Sequence, residues 1–313
     1  SLYSMIRRKA KMKAALVFGG QGSQYTGMGQ KVYNHSKKAR DVFELASSII
    51  GYNVARMCFE APQDELNKTV YCQICTLTVE LALYEVFKEQ DIRPDSMAGF
   101  SLGEYAALVA SNVICMDNAF RLVSARAQAM EDTIKDGIGK MVAVINLKVE
   151  QVEAICGDIG NNKAKIANYN SYKQLVVSLA SEIFDSFAEK IKSWGGRIIP
   201  LKVNRPFHHS MMRPTADKYH IELYKHEFKT PDRSLYMNVT GERIVVADSI
   251  QEMLYEQIFM PVQWIRIVKN MLANGIDTFY EISPKSTLAS LIINISGGCE
   301  RVVDVQNEIL TQV

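Results

Sequence analysis

The stretch 97–104, MAGFSLGE, places a serine between two glycines at the junction of two predicted elements. Met97–Phe100 is a short apolar run that predicts a strand, and Glu104–Ser111 has the apolar spacing of a helix. Residues 99–103 fit the pattern G-x-S-x-G, which indicates a nucleophile elbow when it joins a strand to a helix. The glycines allow a sharp turn, so that the hydroxyl group of Ser101 projects near the helix N-terminus. An ordinary glycine turn is the alternative interpretation.

A glycine-rich loop near the start of the chain follows another strand candidate. Residues 14–18, AALVF, form a short apolar run that ends at Gly19-Gly20. The next residues, 20–24 (GQGSQ), lack both the G-x-x-x-x-G-K-[ST] and the G-x-G-x-x-G spacing of phosphate loops. Acyl transfer needs two N–H donors for an oxyanion, one after the nucleophile and one from a loop after an early strand. We expect Leu102 and Gln21 to supply them.

The periodicity changes along the chain. From about 38 to 90 the apolar spacing is helical, whereas 140–202 alternates short strand and helix candidates. These candidates are Met141–Ile145 (strand), Val149–Cys156 (helix), Lys165–Tyr169 (strand), Gln174–Leu179 (strand), Ser181–Trp194 (helix) and Ile198–Val203 (strand). The resulting β-α-β-β-α-β order is that of a ferredoxin-like unit.

After residue 205 the pattern returns to mixed α/β. The candidates there are Tyr236–Val239 (strand), 249–258 (helix), Val262–Ala273 (helix), Thr278–Ile282 (strand) and Lys285–Ile295 (helix). We therefore predict an α/β fold with a large α/β-hydrolase-like domain, residues 12–138 and 205–313. A ferredoxin-like small domain, residues 139–204, is predicted to be inserted into it.

Composition limits the classes of function. The 313 residues are 48% hydrophobic and carry a formal net charge of +2, so neither a nucleic acid nor a membrane partner is indicated. No run reaches about 18 uninterrupted apolar residues, so no transmembrane helix is expected. The six cysteines are expected to be reduced thiols of a cytoplasmic protein. Cys72 and Cys75 form a C-x-x-C without the second ligand pair that zinc needs, so no metal site is expected.

A serine nucleophile needs a base, and the chain has five histidines. Three of them lie in polar stretches and are expected at the surface: His35, His220 and His226. His208 and His209 instead follow the last strand candidate of the insert, in a loop that Pro206 restrains. Loops on a rigid scaffold are where catalytic residues tend to lie. The pattern does not decide between His208 and His209.

Two segments resemble the motifs of one enzyme family. Residues 18–24, FGGQGSQ, are similar to its opening F-P-G-Q-G-S-Q, and residues 99–104, GFSLGE, are similar to its G-H-S-L-G-E. The family is that of the malonyl-CoA:acyl carrier protein transacylases, which includes trans-acting acyltransferases of polyketide synthases. The resemblance extends over roughly 14–306.

This resemblance implies roles for further residues. The family's histidine loop assigns the catalytic base to His208, and its arginine helix, here 121–130, places Arg126 on the free carboxylate of the malonyl group. Gln73 is implied near the pocket, although the family's Q-P-A is here Q-I-C. The segment QIFMPVQW resembles one in which a backbone carbonyl orients the histidine, which implies this role for Gln257.

Two phenylalanines are expected in the pocket and bear on the choice of acyl group. Phe100 replaces the family's histidine before the nucleophile, which makes the pocket less polar. Phe207 resembles the phenylalanine of malonyl-selective polyketide acyltransferases. A ring there would crowd an α-methyl group, a discrimination of about 1–3 kcal/mol.

The implied activity is transfer of malonyl from malonyl-CoA to the phosphopantetheine thiol of an acyl carrier protein, through malonyl-Ser101. Coenzyme A thioester is the substrate, no cofactor is bound, and the expected state is a monomer. The two phenylalanines incline the prediction toward trans-acting polyketide biosynthesis. The alternatives are a transacylase of housekeeping fatty acid synthesis and a hydrolase that clears acyl carrier proteins; a non-catalytic docking module would not need nucleophile, base and oxyanion loop together.

Overall fold

The structure is a computed structural model that describes residues 12–203, 205–298 and 301–311. The predicted domain limit at 313 lies outside these residues. In the first part of the chain a buried strand precedes a series of helices. Its elements are β1 (Ala14–Phe18), α1 (Gln30–His35), α2 (Lys37–Ile50), α3 (Val54–Glu60), α4 (Gln63–Leu66), α5 (Thr69–Phe87), β2 (Ser96–Gly99), α6 (Gly103–Ala110) and α7 (Met116–Thr133).

The rest of the chain first alternates strands and helices and then becomes mostly helical. The middle elements are β3 (Gly139–Ile145), α8 (Val149–Ile159), β4 (Ala164–Ser171), β5 (Gln174–Ala180), α9 (Phe184–Ser193) and β6 (Arg197–Pro200). The last elements are α10 (Arg213–Leu223), β7 (Ser234–Leu235), α11 (Ile250–Gln257), α12 (Trp264–Ala273), β8 (Thr278–Ile282), α13 (Ala289–Ser296), β9 (Arg301–Asp304) and α14 (Val305–Thr311).

A parallel sheet forms the centre of the molecule, and five strands of the described residues build it in the order β7-β2-β1-β8-β9. Every residue of β1, β2 and β8 is buried, as expected for a parallel sheet covered on both faces. Phe18 pairs with Gly99 on one side and with Ile282 on the other, so the carboxyl ends of these three strands lie together. Loops that follow such ends are where ligands bind in open α/β sheets.

The segment 139–200 forms a smaller antiparallel sheet in the order β4-β5-β3-β6, with the predicted β-α-β-β-α-β sequence of elements. Helices α8 and α9 cover one face through buried residues such as Val152 and Phe187. Met141, Ala167 and Val176 pack instead into the main hydrophobic core. The backbone of Val262 donates to Ala167 O (2.8 Å) and accepts from Tyr169 N (3.0 Å), which joins this sheet to the segment before α12.

Helix α5 is long and apolar enough to cross a membrane by length and composition, although no such helix was expected from the sequence. In its most apolar window, 72% of the residues are buried inside the protein, where the helix packs against α2, α6 and α7. Cys72 and Cys75 both point into this interior, and burial raises the pKa of the Cys72 thiol to about 12. The helix therefore has the surroundings of a core helix.

The strand predicted at Tyr236–Val239 is wrong, because the strand is β7 and it ends at Leu235. Met237 N donates to Glu242 O (3.1 Å) and Gly241 N donates to Met237 O (2.8 Å), so the chain turns back at this point. Tyr236 and Met237 are buried by packing at the sheet edge. Their apolar character thus reflects packing and not a longer strand.

Two predicted helices begin later than their apolar patterns indicate. The bonds of Val262 to β4 keep it extended, and α12 begins at Trp264. Before α13, the Glu281 carboxylate accepts from the backbone N–H groups of Thr287 (2.6 Å), Leu288 (2.8 Å) and Ala289 (3.0 Å). A side chain from β8 thereby satisfies N–H groups at the start of that helix. The sequence patterns predict none of α10, β9 and α14.

Candidate active site

Ser101 lies in the turn between β2 and α6, with a backbone φ of 52°. A β-carbon at position 99 would lie 1.9 Å from Gly103 O, and one at position 103 would lie 2.0 Å from Gly19 O. Both contacts are far shorter than atoms allow. The two glycines of the motif are therefore required by backbone segments that approach each other closely, and they let a non-glycine residue occupy the strained position.

The hydroxyl group of Ser101 faces one histidine. Ser101 Oγ lies 2.8 Å from His208 Nε2, and His208 Nδ1 lies 2.7 Å from the backbone O of Gln257. A carbonyl oxygen only accepts, so Nδ1 carries the proton and Nε2 has a free lone pair for the serine proton. The three groups have the arrangement of a nucleophile, a base and an acceptor that orients the base.

The loop before His208 is fixed from two sides. Arg205 donates to Ile134 O (2.9 Å) and forms ion pairs with Glu131 (3.0 Å) and Asp136 (3.1 Å). Ser178 on β5 donates to the backbone O of Phe207. His208 itself has a φ of 58°, a strained value that these contacts help to keep.

His209 does not contact Ser101. Its ring is buried, and Nδ1 accepts from Met211 N at 3.0 Å. Of the two histidines that the sequence pattern left open, the structure thus brings His208 to the serine. The other three described histidines, His35, His220 and His226, form no contact with the site, and the first two are exposed.

Arg126 on α7 reaches the hydroxyl group of Ser101. It is almost completely buried, with 2% of its surface exposed. Its guanidinium donates to Gln73 Oε1 (2.8 Å), Gln257 Oε1 (2.9 Å) and Ser101 Oγ (3.2 Å). Gln73 and Gln257 therefore hold the guanidinium in place. Within the described ranges no carboxylate forms an ion pair with Arg126, and the groups that accept its hydrogen bonds are neutral.

A cavity of about 110 Å³ adjoins the Ser101 hydroxyl group. Its lining combines polar groups with apolar side chains from the small sheet, from α7 and from loops: Gln21, Gln73, Phe100, Ser101, Arg126, Met130, Met141, Asn168, Leu201, Val203, Phe207 and His208. Phe100 is packed edge-on against Trp264, with 5.4 Å between ring centroids. This volume is below the range of roughly 300–1,000 Å³ of pockets for drug-sized ligands, so the cavity suits a short acyl group.

Two backbone N–H groups near the serine have no partner in the part of the chain that the structure describes: those of Leu102 and Gln21. Leu102 directly precedes α6, and Gln21 lines the cavity. The loop of Gln21 approaches the elbow closely, because a β-carbon at position 20 would lie 2.5 Å from Phe100 O. The arrangement leaves both groups free to donate to an oxyanion.

The electrostatics of the site keep the base uncharged. Burial, followed by the positive charge of Arg126, lowers the pKa of His208 to about 4. Burial raises the pKa of Glu104, in the first turn of α6, to about 8. At neutral pH both groups are neutral, and Arg126 carries the charge of the pocket.

A model of the acyl transferase domain family matches residues 15–307. The chain belongs to this acyl transferase domain family. Malonyl CoA-acyl carrier protein transacylase of Bacillus subtilis (strain 168) is 33% identical over 287 residues, covering 91% of this chain and 90% of that protein. The protein of the same name from Escherichia coli (strain K12) is 35% identical over 280 residues, covering 88% and 91%.

Solved structures of acyl transferase family members have the same mixed α/β fold. Malonyl CoA-acyl carrier protein transacylase from Clostridium perfringens has a TM-score of 0.90 at 33% identity and covers 96% of both chains. A malonyl-transacylase in complex with a type II PKS acyl-carrier protein has a TM-score of 0.90 at 31% identity and covers 96% of this chain and 100% of that chain. The parallel sheet and the small antiparallel sheet are thus shared with these relatives.

The sequence patterns indicated no role for two buried residues of this acyl transferase that lie at the elbow. Asn238 bonds the backbone of Ser101 and Gly99, and Glu104 bonds the backbone of Asn238. The strand predicted at Tyr236–Val239 gave no indication that the chain turns there and brings the Asn238 side chain to the elbow. A polar residue inside an apolar run was the available signal.

Proposed function

We propose that this acyl transferase carries a malonyl group from malonyl-CoA to the phosphopantetheine thiol of an acyl carrier protein, through malonyl-Ser101. The observation that carries the proposal is Arg126. Its guanidinium is buried beside the serine hydroxyl group, and no described carboxylate pairs with it. A buried cation without a counter-ion is costly, and the free carboxylate of a malonyl group would supply one.

The proposed first half-reaction forms the acyl-serine. His208 Nε2 accepts the Ser101 proton as Oγ bonds to the thioester carbon, and the N–H groups of Leu102 and Gln21 donate to the oxyanion. The C–S bond then breaks, and the histidine returns its proton to the sulfur, which releases coenzyme A as the thiol. In the second half-reaction the carrier thiol attacks malonyl-Ser101 through the same steps in reverse.

The remaining pocket residues select the acyl group. Gln73 and Gln257 aim the guanidinium, which can bind a carboxylate through two parallel hydrogen bonds. Phe100 and Phe207 line the same cavity and limit it to a short, unbranched chain. The carbonyl of Gln257 holds the histidine in the tautomer that accepts the proton.

The same proposal covers the organisation and setting of the protein. We infer a large α/β-hydrolase-like domain, 12–138 and 205–313, and a ferredoxin-like small domain, 139–204. Support comes from the serine at the carboxyl end of a parallel strand and from the strand order of the small sheet.

We infer a cytoplasmic monomer. We also infer a trans-acting role in polyketide biosynthesis, which rests on Phe100 and Phe207. Transfer rates to carrier proteins of the two pathways would distinguish that role from fatty acid synthesis.

Intact-mass spectrometry after brief exposure to malonyl-CoA tests the activity. We expect a malonyl adduct on the enzyme that moves to added holo acyl carrier protein, because the second thiol reverses the first step. An adduct lost equally fast without carrier protein would identify a hydrolase. An enzyme that stays unmodified would exclude malonyl transfer.

The acylation step should tolerate mildly acidic conditions. The base acts in its neutral form, and its pKa is lowered from 6.5 to about 4, so kcat/KM for acylation should stay constant down to about pH 5 and be halved near pH 4. Below about pH 6.5 the unfolded chain binds a proton at this histidine more readily than the folded chain does, so the free energy of unfolding falls as the pH falls toward 4. Melting temperatures must therefore be measured at each pH. A pH profile with its midpoint near 6.5 would contradict a buried base.

A further inference from the structure

Asn238 lies in the turn after β7 and is 0% exposed. Its side chain forms two hydrogen bonds with the nucleophile elbow. Its side-chain Oδ1 accepts from Ser101 N at 2.7 Å, and its Nδ2 donates to Gly99 O at 2.6 Å. One amide group thus connects the residues on both sides of Phe100. The bond also occupies the Ser101 N–H, which leaves Leu102 as the elbow's free donor.

Glu104 and Gln263 fix the backbone of Asn238. Asn238 N donates to Glu104 Oε2 at 2.7 Å, and Asn238 O accepts from Gln263 N at 2.9 Å. Glu104 is also 0% exposed and lies three residues after the serine. The side chain of Asn238 therefore has little freedom to turn away from the elbow.

We propose that Asn238 is a positioning residue for the nucleophile and that Glu104 positions Asn238, an inference that rests on the proposed function. Ser101 has a strained φ, and such strain persists only where surrounding contacts oppose its relaxation. The two hydrogen bonds from the Asn238 side chain to the elbow are these contacts. Without them, Ser101 N and Gly99 O are unpaired, and Oγ moves away from His208 Nε2 and from the oxyanion donors.

The test compares acylation in the full-length wild type and Asn238→Ala by rapid-quench mass spectrometry over a range of malonyl-CoA concentrations. We expect the acylation rate at saturation to fall about 100-fold, the loss that a misplacement near 1 Å causes. The half-saturating concentration should stay within about twofold, because the bond removed contacts no substrate. Wild-type acylation in the variant, or a loss confined to substrate binding, would overturn the proposal.

A fluorophosphonate probe gives a second readout, because it labels a reactive serine without any thioester. We expect the labelling rate of Ser101 to fall in parallel with acylation. If the wild type reacts with the probe but not with malonyl-CoA, the proposed function fails, and the labelling rates still decide whether Asn238 positions the nucleophile. Equal labelling of wild type and variant would overturn the inference alone.

Matched variants separate positioning from general stability. Asn270 on α12 donates a hydrogen bond to Gly241 O (2.8 Å), which belongs to the same turn as Asn238. Asn270→Ala removes this hydrogen bond and should leave acylation unchanged. Glu104→Gln keeps an acceptor for Asn238 N and should stay close to the wild type, whereas Glu104→Ala should follow Asn238→Ala. If Asn238→Ala does not fold, Asn238→Ser is judged by the same criteria. A slow Asn270→Ala variant, or a slow Glu104→Gln variant that melts like the wild type, would contradict the proposal.

Discussion

Ser101→Ala is expected to abolish the malonyl adduct and to lower the transfer rate by on the order of 10⁶-fold, the scale of loss seen for nucleophilic serines. The hydroxyl group lies 2.8 Å from His208 Nε2, and no other hydroxyl group lines the cavity. The structure therefore offers no substitute nucleophile among the described residues. Initial transfer rates and the mass of the enzyme after exposure to malonyl-CoA would measure the effect.

A buried serine at the other end of α6, the helix that follows Ser101, provides the control. Ser111 is the buried C-cap residue of α6. Its hydroxyl group donates to Ala107 O at 2.7 Å and does not line the cavity. Ser111→Ala should therefore keep full transfer activity. A malonyl adduct that survives Ser101→Ala would place the acyl group on another residue and would refute the serine mechanism.

Arg126→Ala is expected to remove the preference for malonyl over acetyl thioesters. Truncating one partner of a buried charge pair costs about 2–5 kcal/mol, so kcat/KM for malonyl-CoA should fall by about 30- to 5,000-fold. Acetyl transfer has no carboxylate to lose and should change far less. The ratio of kcat/KM values for the two substrates is the measurement that isolates this effect.

The same helix again supplies a matched variant. Arg121 is exposed on α7, five residues before Arg126, and Arg121→Ala should leave the substrate ratio unchanged. Arg126→Lys should give an intermediate ratio, because an ammonium group keeps the charge but not the planar pair of donors. Retention of full malonyl preference in Arg126→Ala would refute the proposed carboxylate site.

The strands of the main sheet could be predicted where their sequence was locally distinctive. Residues 14–18 and 278–282 are short apolar runs, and both form central strands as predicted. Of the two edge strands, β7 was predicted at the wrong residues and β9 was missed, since β7 has two residues and β9 includes charged residues at both ends. The late start of α13 depends on Glu281, a residue whose contribution requires the folded chain. Local patterns do not contain such contacts.

The site shows the same division. The spacing of glycines around Ser101 indicated the elbow, but His208 and His209 are both buried and adjacent in sequence. What distinguishes them is the orientation of His208, which depends on a carbonyl 49 residues away. Arg126 is a charged residue, a type that is mostly exposed, but it lies on the face of α7 that also buries Leu122 and Met130.

The backbone bonds between Val262 and β4, together with the bond from Ser178 to Phe207, have a consequence for how a substrate is chosen. Met141 and Asn168 of the small sheet line the cavity together with Ser101 and Arg126, so its width depends on how the small sheet is held against the elbow and α7. The hydrogen bonds of Val262 and Ser178 hold the small sheet in this position. The proposed discrimination by acyl size would then depend on the dimensions of a gap that the folded chain already contains.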